Sequence, residues 1–183
     1  MKKSLFLLTS ALLFITSCSK DDPEVPNEEE VITTLHYVLT PNLGGMPVSM
    51  TFQDLDGDGG NAPIITGGEL AANTTYNGTL TILNETATPV EDITEEIEEE
   101  DEEHQFFFTS TLATLSVSYD DVDADNNPVG LATIVQTGGI GTGELTITLR
   151  HEPNKNAAGV ISGDITNAGG ETDIEVSFPI SVQ

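Results

Sequence analysis

Apolar and polar residues alternate along most of the chain beyond residue 30, and this pattern predicts β-strands. In the last segment the apolar face consists of Ile174, Val176, Phe178, Ile180 and Val182, and the polar face of Asp173, Glu175, Ser177 and Ser181. Further strands are predicted near 31–39, 47–53, 63–66, 78–84, 105–111, 112–119, 129–136 and 143–151. Short strands separated by Gly, Asn, Asp and Pro clusters are typical of a β-sandwich.

The second half of the chain repeats motifs of the first half in the same order. The segment 52–58 is echoed by 119–125, and Gly78-Thr-Leu-Thr-Ile82 is echoed by Gly143-Glu-Leu-Thr-Ile147. These matches favour a diverged duplication. We therefore predict an all-β fold, an antiparallel sandwich of about eight strands built from two similar halves.

One segment departs from the strand pattern and predicts a short acidic helix. Asp92-Ile-Thr-Glu95 has the form of a capping box, and Ile93 and Ile97 follow at helical spacing. The predicted helix spans 93–103. Its glutamates at i,i+4 repel one another, so the helix needs compensating positive charge. Because the chain has few Lys and Arg residues, a divalent cation is the expected source.

The first residues have the features of a bacterial lipoprotein signal. Lys2 and Lys3 precede an apolar run over 5–15 that is too short to span a bilayer. Ile15-Thr16-Ser17-Cys18 follows the lipobox pattern, and Cys18 is the single cysteine of the chain. The predicted organisation is a signal peptide over 1–17, a lipidated acidic tether over 18–30 and one domain over 31–183.

Charge narrows the classes of partner. The full chain carries a formal charge of −26, and loss of Lys2 and Lys3 with the signal makes the mature chain more negative still. Nucleic acid is excluded because phosphate binding needs clustered Lys and Arg, whereas cationic ligands are favoured. Ser19-Lys20-Asp21-Asp22 resembles the surface-export signal of Bacteroidota lipoproteins, which implies display on the outer membrane.

Two aspartate-rich loops are candidate calcium sites. Carboxylates at alternate positions followed by Gly or Asn are typical of the start of a calcium loop, but neither loop has the acidic residue at position 12 of an EF-hand. The candidate ligands are Asp54, Asp56 and Asp58 in the first loop and Asp121, Asp123 and Asp125 in the second. The alternative is that both loops are plain polar turns.

Two histidines near carboxylates are candidate ligands for zinc or copper. If the helix continues by one residue, Glu100 and His104 lie at i,i+4 on one face of it, and His151-Glu152 ends a strand with His151 on its inward face. We expect His104 and His151 to lie within one metal-binding distance of each other or of shared carboxylates. The alternative is a solvated acidic face and a histidine at the rim of the sandwich.

An enzymatic function is not expected. The chain has no GxSxG, HExxH or phosphate-binding glycine motif, and it has no Trp for a glycan platform. Four segments together suggest a family resemblance: Thr75-Tyr76-Asn-Gly, Asp92-Ile-Thr-Glu-Glu-Ile97, His104-Gln-Phe-Phe107 and His151-Glu-Pro-Asn-Lys155. In these segments the chain resembles the small acidic lipoproteins of flavobacteria that are catalogued under a type 1 periplasmic-binding name and encoded beside TonB-dependent receptors.

That resemblance implies an accessory role beside a TonB-dependent outer-membrane receptor. The expected function is non-enzymatic binding of a cation or a metal-bearing ligand at the cell surface. The alternative is a structural or adhesive sandwich module that calcium makes rigid.

Overall fold

The computed structural model describes residues 30–57 and 59–183. The predicted signal peptide, Cys18 and the tether as far as residue 29 lie outside the described residues, as does the candidate ligand Asp58. Within the described ranges, no helix is both long enough and apolar enough to cross a membrane.

The described residues form two packed sheets of mostly antiparallel strands, which confirms the predicted all-β sandwich. The strands are β1 (Thr34–Pro41), β2 (Val48–Gln53), β3 (Ile64–Thr66), β4 (Gly68–Leu70), β5 (Thr75–Asn84), β6 (Glu91–Asp92), β7 (His104–Ser110), β8 (Leu115–Tyr119), β9 (Ala132–Thr137), β10 (Gly141–His151) and β11 (Glu171–Val182). One helix, α1 (Ile93–Glu99), precedes β7, and two single 3-10 turns (Val160–Ser162 and Ile165–Asn167) precede β11.

The two sheets are unequal, whereas the sequence predicted two similar four-stranded halves. One sheet has the order β3-β2-β1-β5-β9-β8 with β6 added beside β5, and the other has the order β4-β11-β10-β7. Strands β4 and β6 were not predicted, because Gly68-Glu-Leu70 and Glu91-Asp92 are short and offer at most one large apolar residue each. The repeated motifs of β5 and β10 lie in different sheets, so the halves do not form matching layers. The duplication itself stays a prediction.

The core lies between the sheets and follows the predicted alternation. Leu35, Tyr37 and Leu39 of β1 and the apolar residues of β10 are fully buried. Each such side chain contributes about 1.5–3 kcal/mol through burial. The Tyr37 hydroxyl also hydrogen-bonds the Thr133 hydroxyl at 2.7 Å, so its polar atom is satisfied inside the core. This packing fixes the ends of β7 and β10, where the candidate site lies.

Helix α1 begins as predicted but ends earlier. The Asp92 carboxylate accepts a hydrogen bond from the Thr94 N–H, and Ile93 and Ile97 are buried. The helix ends at Glu99 rather than at 103, consistent with repulsion between its glutamates. The predicted pairing of Glu100 and His104 on one helical face is therefore wrong, since β7 begins at His104.

Candidate metal centre

Strands β7 and β10 bring the two candidate histidines together. His104 is the register partner of His151 in this antiparallel pair. Their rings are stacked with centroids 4.7 Å apart and an interplanar angle of 29°. The side chains are 0% and 4% exposed, so both imidazoles are buried at one end of the sandwich. The two histidines that were expected to meet therefore lie side by side.

Two carboxylates complete a cluster around the histidines. Glu30 Oε1 lies 3.2 Å from His104 Nε2, and Asp173 Oδ1 lies 3.8 Å from His151 Nδ1. These carboxylate side chains are 8% and 2% exposed. One ligand atom from each of the four residues lies within 4.8 Å of every other, and we call this set the metal centre. Sequence analysis identified neither carboxylate.

A β-bulge explains why Asp173 faces inward although alternation predicts the opposite. Leu149 pairs with Ile174, but the next residue, Arg150, pairs with Thr172, so Asp173 is an extra residue on β11. A bulge of this kind redirects a side chain relative to the regular pleat. Asp173 thereby joins the histidines instead of lying on the outer face. No pattern in the sequence marks this shift.

A hydrogen bond to the backbone fixes the tautomer and the orientation of His104. Its Nδ1 donates to the Glu100 carbonyl oxygen at 3.1 Å, and a carbonyl can only accept, so Nδ1 carries the proton. In the neutral ring the lone pair is then on Nε2, which faces Glu30. Metal-binding histidines commonly donate their second nitrogen to a backbone carbonyl in this way. Glu100 thus contributes its backbone carbonyl, while its side chain is exposed.

The electrostatics of the Glu30–His104 pair favour an ionised carboxylate next to a positive charge, which can be a protonated imidazole or a metal ion. The contact with His104 lowers the pKa of Glu30, against the opposing effect of burial. Burial lowers the pKa of His104, but Glu30 and the Glu100 carbonyl outweigh it and leave that pKa above the usual histidine value. The second oxygen of Glu30, Oε2, is buried and accepts no hydrogen bond from the described residues. A metal cation can replace the proton on the His104 imidazole and take Glu30 Oε2 as a ligand.

The donor set and spacing suit a four-coordinate transition metal. Two imidazoles and two carboxylates are ligands that zinc and copper accept, and zinc bonds of about 2.0–2.2 Å place tetrahedral ligand atoms about 3.3–3.6 Å apart. The observed 3.2 Å and 3.8 Å separations are close to that range. The widest separations, up to 4.8 Å, need small side-chain rotations to close around an ion.

Glu152, the other predicted carboxylate, belongs to a neighbouring group at the surface. Glu103, His151 and Glu152 offer ligand atoms within 4.8 Å of one another, and both glutamates are exposed. His151 Nε2 lies 3.9 Å from Glu103 Oε2. His151 is therefore common to the buried metal centre and to this exposed group.

The second aspartate loop uses its carboxylates inside the protein. Asp121 accepts hydrogen bonds from the backbone N–H groups of Gly130 and Ala132 through its two oxygens. Asp123 Oδ1 accepts from the N–H groups of Asp125 and Asn127. Asp125 is exposed. These contacts are those of a hydrogen-bonded turn, and calcium at this loop stays a prediction without geometric support.

The first aspartate loop is also closed by its own carboxylates. Asp54 accepts from the Gly57 N–H at 2.9 Å, and Asp56 accepts from the backbone and side-chain N–H groups of Asn61. Asp58 lies outside the described residues. Within the described ranges, no aspartate of either loop belongs to a group of three candidate metal ligands.

Lys155 supplies positive charge that sequence analysis had discounted. Its Nζ lies 2.9 Å from Asp123 Oδ2 and donates to the Asp101 carbonyl oxygen, just beyond α1. Both side chains of the ion pair are buried. Lys155 therefore neutralises Asp123 and lies close to the end of α1, but its ammonium pairs with no α1 glutamate among the described residues.

A cavity at the opposite end of β1 lies far from the metal centre. It has a volume of about 600 Å³ and is lined mainly by the β1–β2 loop, Glu69 and Tyr76. Glu30 lies before the first residue of β1, and the cavity lies at the other end of this strand. The eight residues of β1 therefore separate the two regions by about 25 Å. The metal centre needs no cavity of this size, because its four side chains themselves would enclose an ion.

No protein-family model, characterised protein or solved structure was found to match this chain. Function must therefore be argued from the geometry of the site. The four converging side chains of the metal centre are the feature of the described residues best suited to bind a ligand.

Proposed function

We propose that this chain is a surface-exposed outer-membrane lipoprotein that binds zinc or copper without catalysing a reaction. The observation that carries the proposal is the buried His104–His151 pair between the carboxylates of Glu30 and Asp173. Buried charges are expensive unless they are paired or coordinate a metal. A divalent ion would neutralise the two carboxylates and use both imidazoles.

The composition of the metal centre favours a transition metal over calcium. Calcium takes six to eight oxygen ligands, whereas imidazole nitrogen suits zinc and copper. Four protein ligands would fill a tetrahedral coordination sphere, whereas catalytic zinc sites keep one position open for water or substrate. A closed and buried centre supports binding rather than catalysis.

The proposed location follows from the sequence. A lipid on Cys18 would leave 12 residues before Glu30, which reach at most about 40 Å when fully extended. The metal centre would then remain close to the membrane. This distance is compatible with an accessory role beside a TonB-dependent receptor, which the family resemblance suggested.

Equilibrium dialysis of the purified full chain, with metal analysis of both compartments, tests the proposed binding. We expect one zinc or copper ion per chain, and we expect excess calcium to leave that ion in place because calcium disfavours nitrogen ligands. Failure to retain a stoichiometric ion would contradict the proposal. Retention of calcium alone would instead favour a structural module with occupied aspartate loops.

The anchor is tested separately by Cys18→Ala. This variant lacks the thiol that receives lipid, so we expect it in the soluble fraction while the parent chain is recovered with outer membranes. Acyl labelling and membrane fractionation provide the measurement. Membrane recovery of an acyl-labelled Cys18→Ala chain would disprove lipidation at this residue.

A further inference from the structure

An exposed pair of carboxylates lies beside the buried metal centre, and the two groups share His151. The side chains of the metal centre are at most 8% exposed, whereas Glu103 beside it is 57% exposed. An incoming hydrated ion must exchange its water for protein ligands stepwise on the way to a buried site. Donors that bridge the surface and the interior would assist this exchange.

His151 has the geometry of such a bridge. Its Nε2 faces Glu103 Oε2 at 3.9 Å, and its Nδ1 faces the buried Asp173 Oδ1 at 3.8 Å. The two nitrogens of one ring are thus directed at an exposed carboxylate and at a buried one. Glu152, the next residue along the chain, adds a second exposed carboxylate to the outer group.

Backbone contacts hold the outer group in place. The Glu152 N–H donates to the Glu103 carbonyl at 2.7 Å, which ties the end of β10 to the turn before β7. His104 and His151 are directly opposed in the same pair of strands. The outer group and the metal centre are therefore parts of one hydrogen-bonded corner, and they share a histidine.

We infer that Glu103, His151 and Glu152 form a surface acquisition site that captures a divalent transition-metal ion and passes it to the metal centre. This inference rests on the proposed function, since it concerns the route to that centre. In the capture step the two glutamates and His151 Nε2 replace water on the ion. In the transfer step the ion exchanges the glutamates for Glu30, His104 and Asp173. Ligation by His151 changes from Nε2 to Nδ1 as Nδ1 releases its proton to water and Nε2 takes up a proton from water.

A route of this kind affects rates rather than equilibrium. Residues that only assist passage lower the barrier equally in both directions, so their loss slows uptake and release by the same factor. The dissociation constant then stays unchanged. A ligand of the final site behaves differently, because its loss weakens the dissociation constant.

Stopped-flow exchange of zinc between a chromophoric chelator and the full chain tests the inference. In E103Q/E152Q, which preserves side-chain shape, we expect uptake and release each to slow by roughly 10-fold or more, with an unchanged dissociation constant. The control E69Q/E144Q removes two exposed carboxylates elsewhere. Its rates should change by less than about twofold, because charges beyond the Debye length are screened.

The possible results separate the two proposals. Unchanged rates in E103Q/E152Q, or equal slowing in the control, would overturn the acquisition site and leave the metal centre intact. A weakened dissociation constant would also overturn it, because the glutamates would then be final ligands. A parent chain that takes up no zinc would overturn both the proposed function and this inference.

Discussion

Replacing His104 or His151 with glutamine is expected to weaken zinc binding by more than the roughly 10–100-fold that follows loss of an outer-shell partner. Each change removes one of four proposed ligands from a buried centre, so a bound ion would keep only three protein ligands. Isothermal titration of the full-length variants with zinc measures the effect. The double variant should retain no bound ion.

His36→Gln is the matched control for these variants. His36 is the third histidine of the chain and lies on β1, outside both groups of candidate ligands among the described residues. Its replacement should leave zinc affinity unchanged. Circular dichroism would verify that all variants keep their strand content. Equal affinity in the parent, His36→Gln and the double variant would rule out the metal centre.

Lys155→Met is expected to lower the free energy of unfolding by about 3–5 kcal/mol, the usual effect of removing one partner from a buried ion pair. The ammonium contacts Asp123 and the Asp101 carbonyl, and the pair is nearly inaccessible to water. Without Lys155, the Asp123 carboxylate remains buried with two backbone N–H contacts. Urea denaturation of the parent and variant measures the loss.

A second variant and the pH dependence of stability distinguish loss of the ion pair from loss of side-chain packing. D123N/K155M removes both charges and should regain much of the stability. Burial raises the pKa of Asp123, but Lys155 and the backbone N–H groups outweigh it and hold the pKa below its usual value. The pair therefore stabilises the fold above the ordinary aspartate pKa, and this stability is lost as pH falls through the lowered pKa. A Lys155→Met penalty that stays constant through this acid range would contradict the charge mechanism.

The sequence predicted the strand that carries His151 and the meeting of the two imidazoles, but it placed His104 on the acidic helix rather than at the start of β7. Leu145, Ile147 and Leu149 share the inward face with His151, and strand pairing then opposes it to His104. This succeeded because alternation records which face of a strand is buried. The same rule located the core on β1 and β11.

The carboxylates of the metal centre could not be predicted in the same way. Glu30 belongs by composition to the acidic tether, and its burial depends on where the chain enters the sandwich. Asp173 lies on the polar face by alternation, and the bulge beside Arg150 reverses its direction. The prediction that the Glu100 side chain is a metal ligand was wrong for a different reason, because the helix on which it relied ends at Glu99. Each miss depends on a local departure from regular geometry.

Anomalous diffraction at the zinc absorption edge, from crystals of the zinc-loaded full chain, tests the metal centre most directly. We expect one strong peak bonded at about 2.0–2.2 Å to Glu30, His104, His151 and Asp173. The His104 ligand atom should be Nε2, because Nδ1 donates to the Glu100 carbonyl. A peak confined to the aspartate loops, or no peak in crystals grown from protein loaded with one zinc ion per chain, would rule out the metal centre.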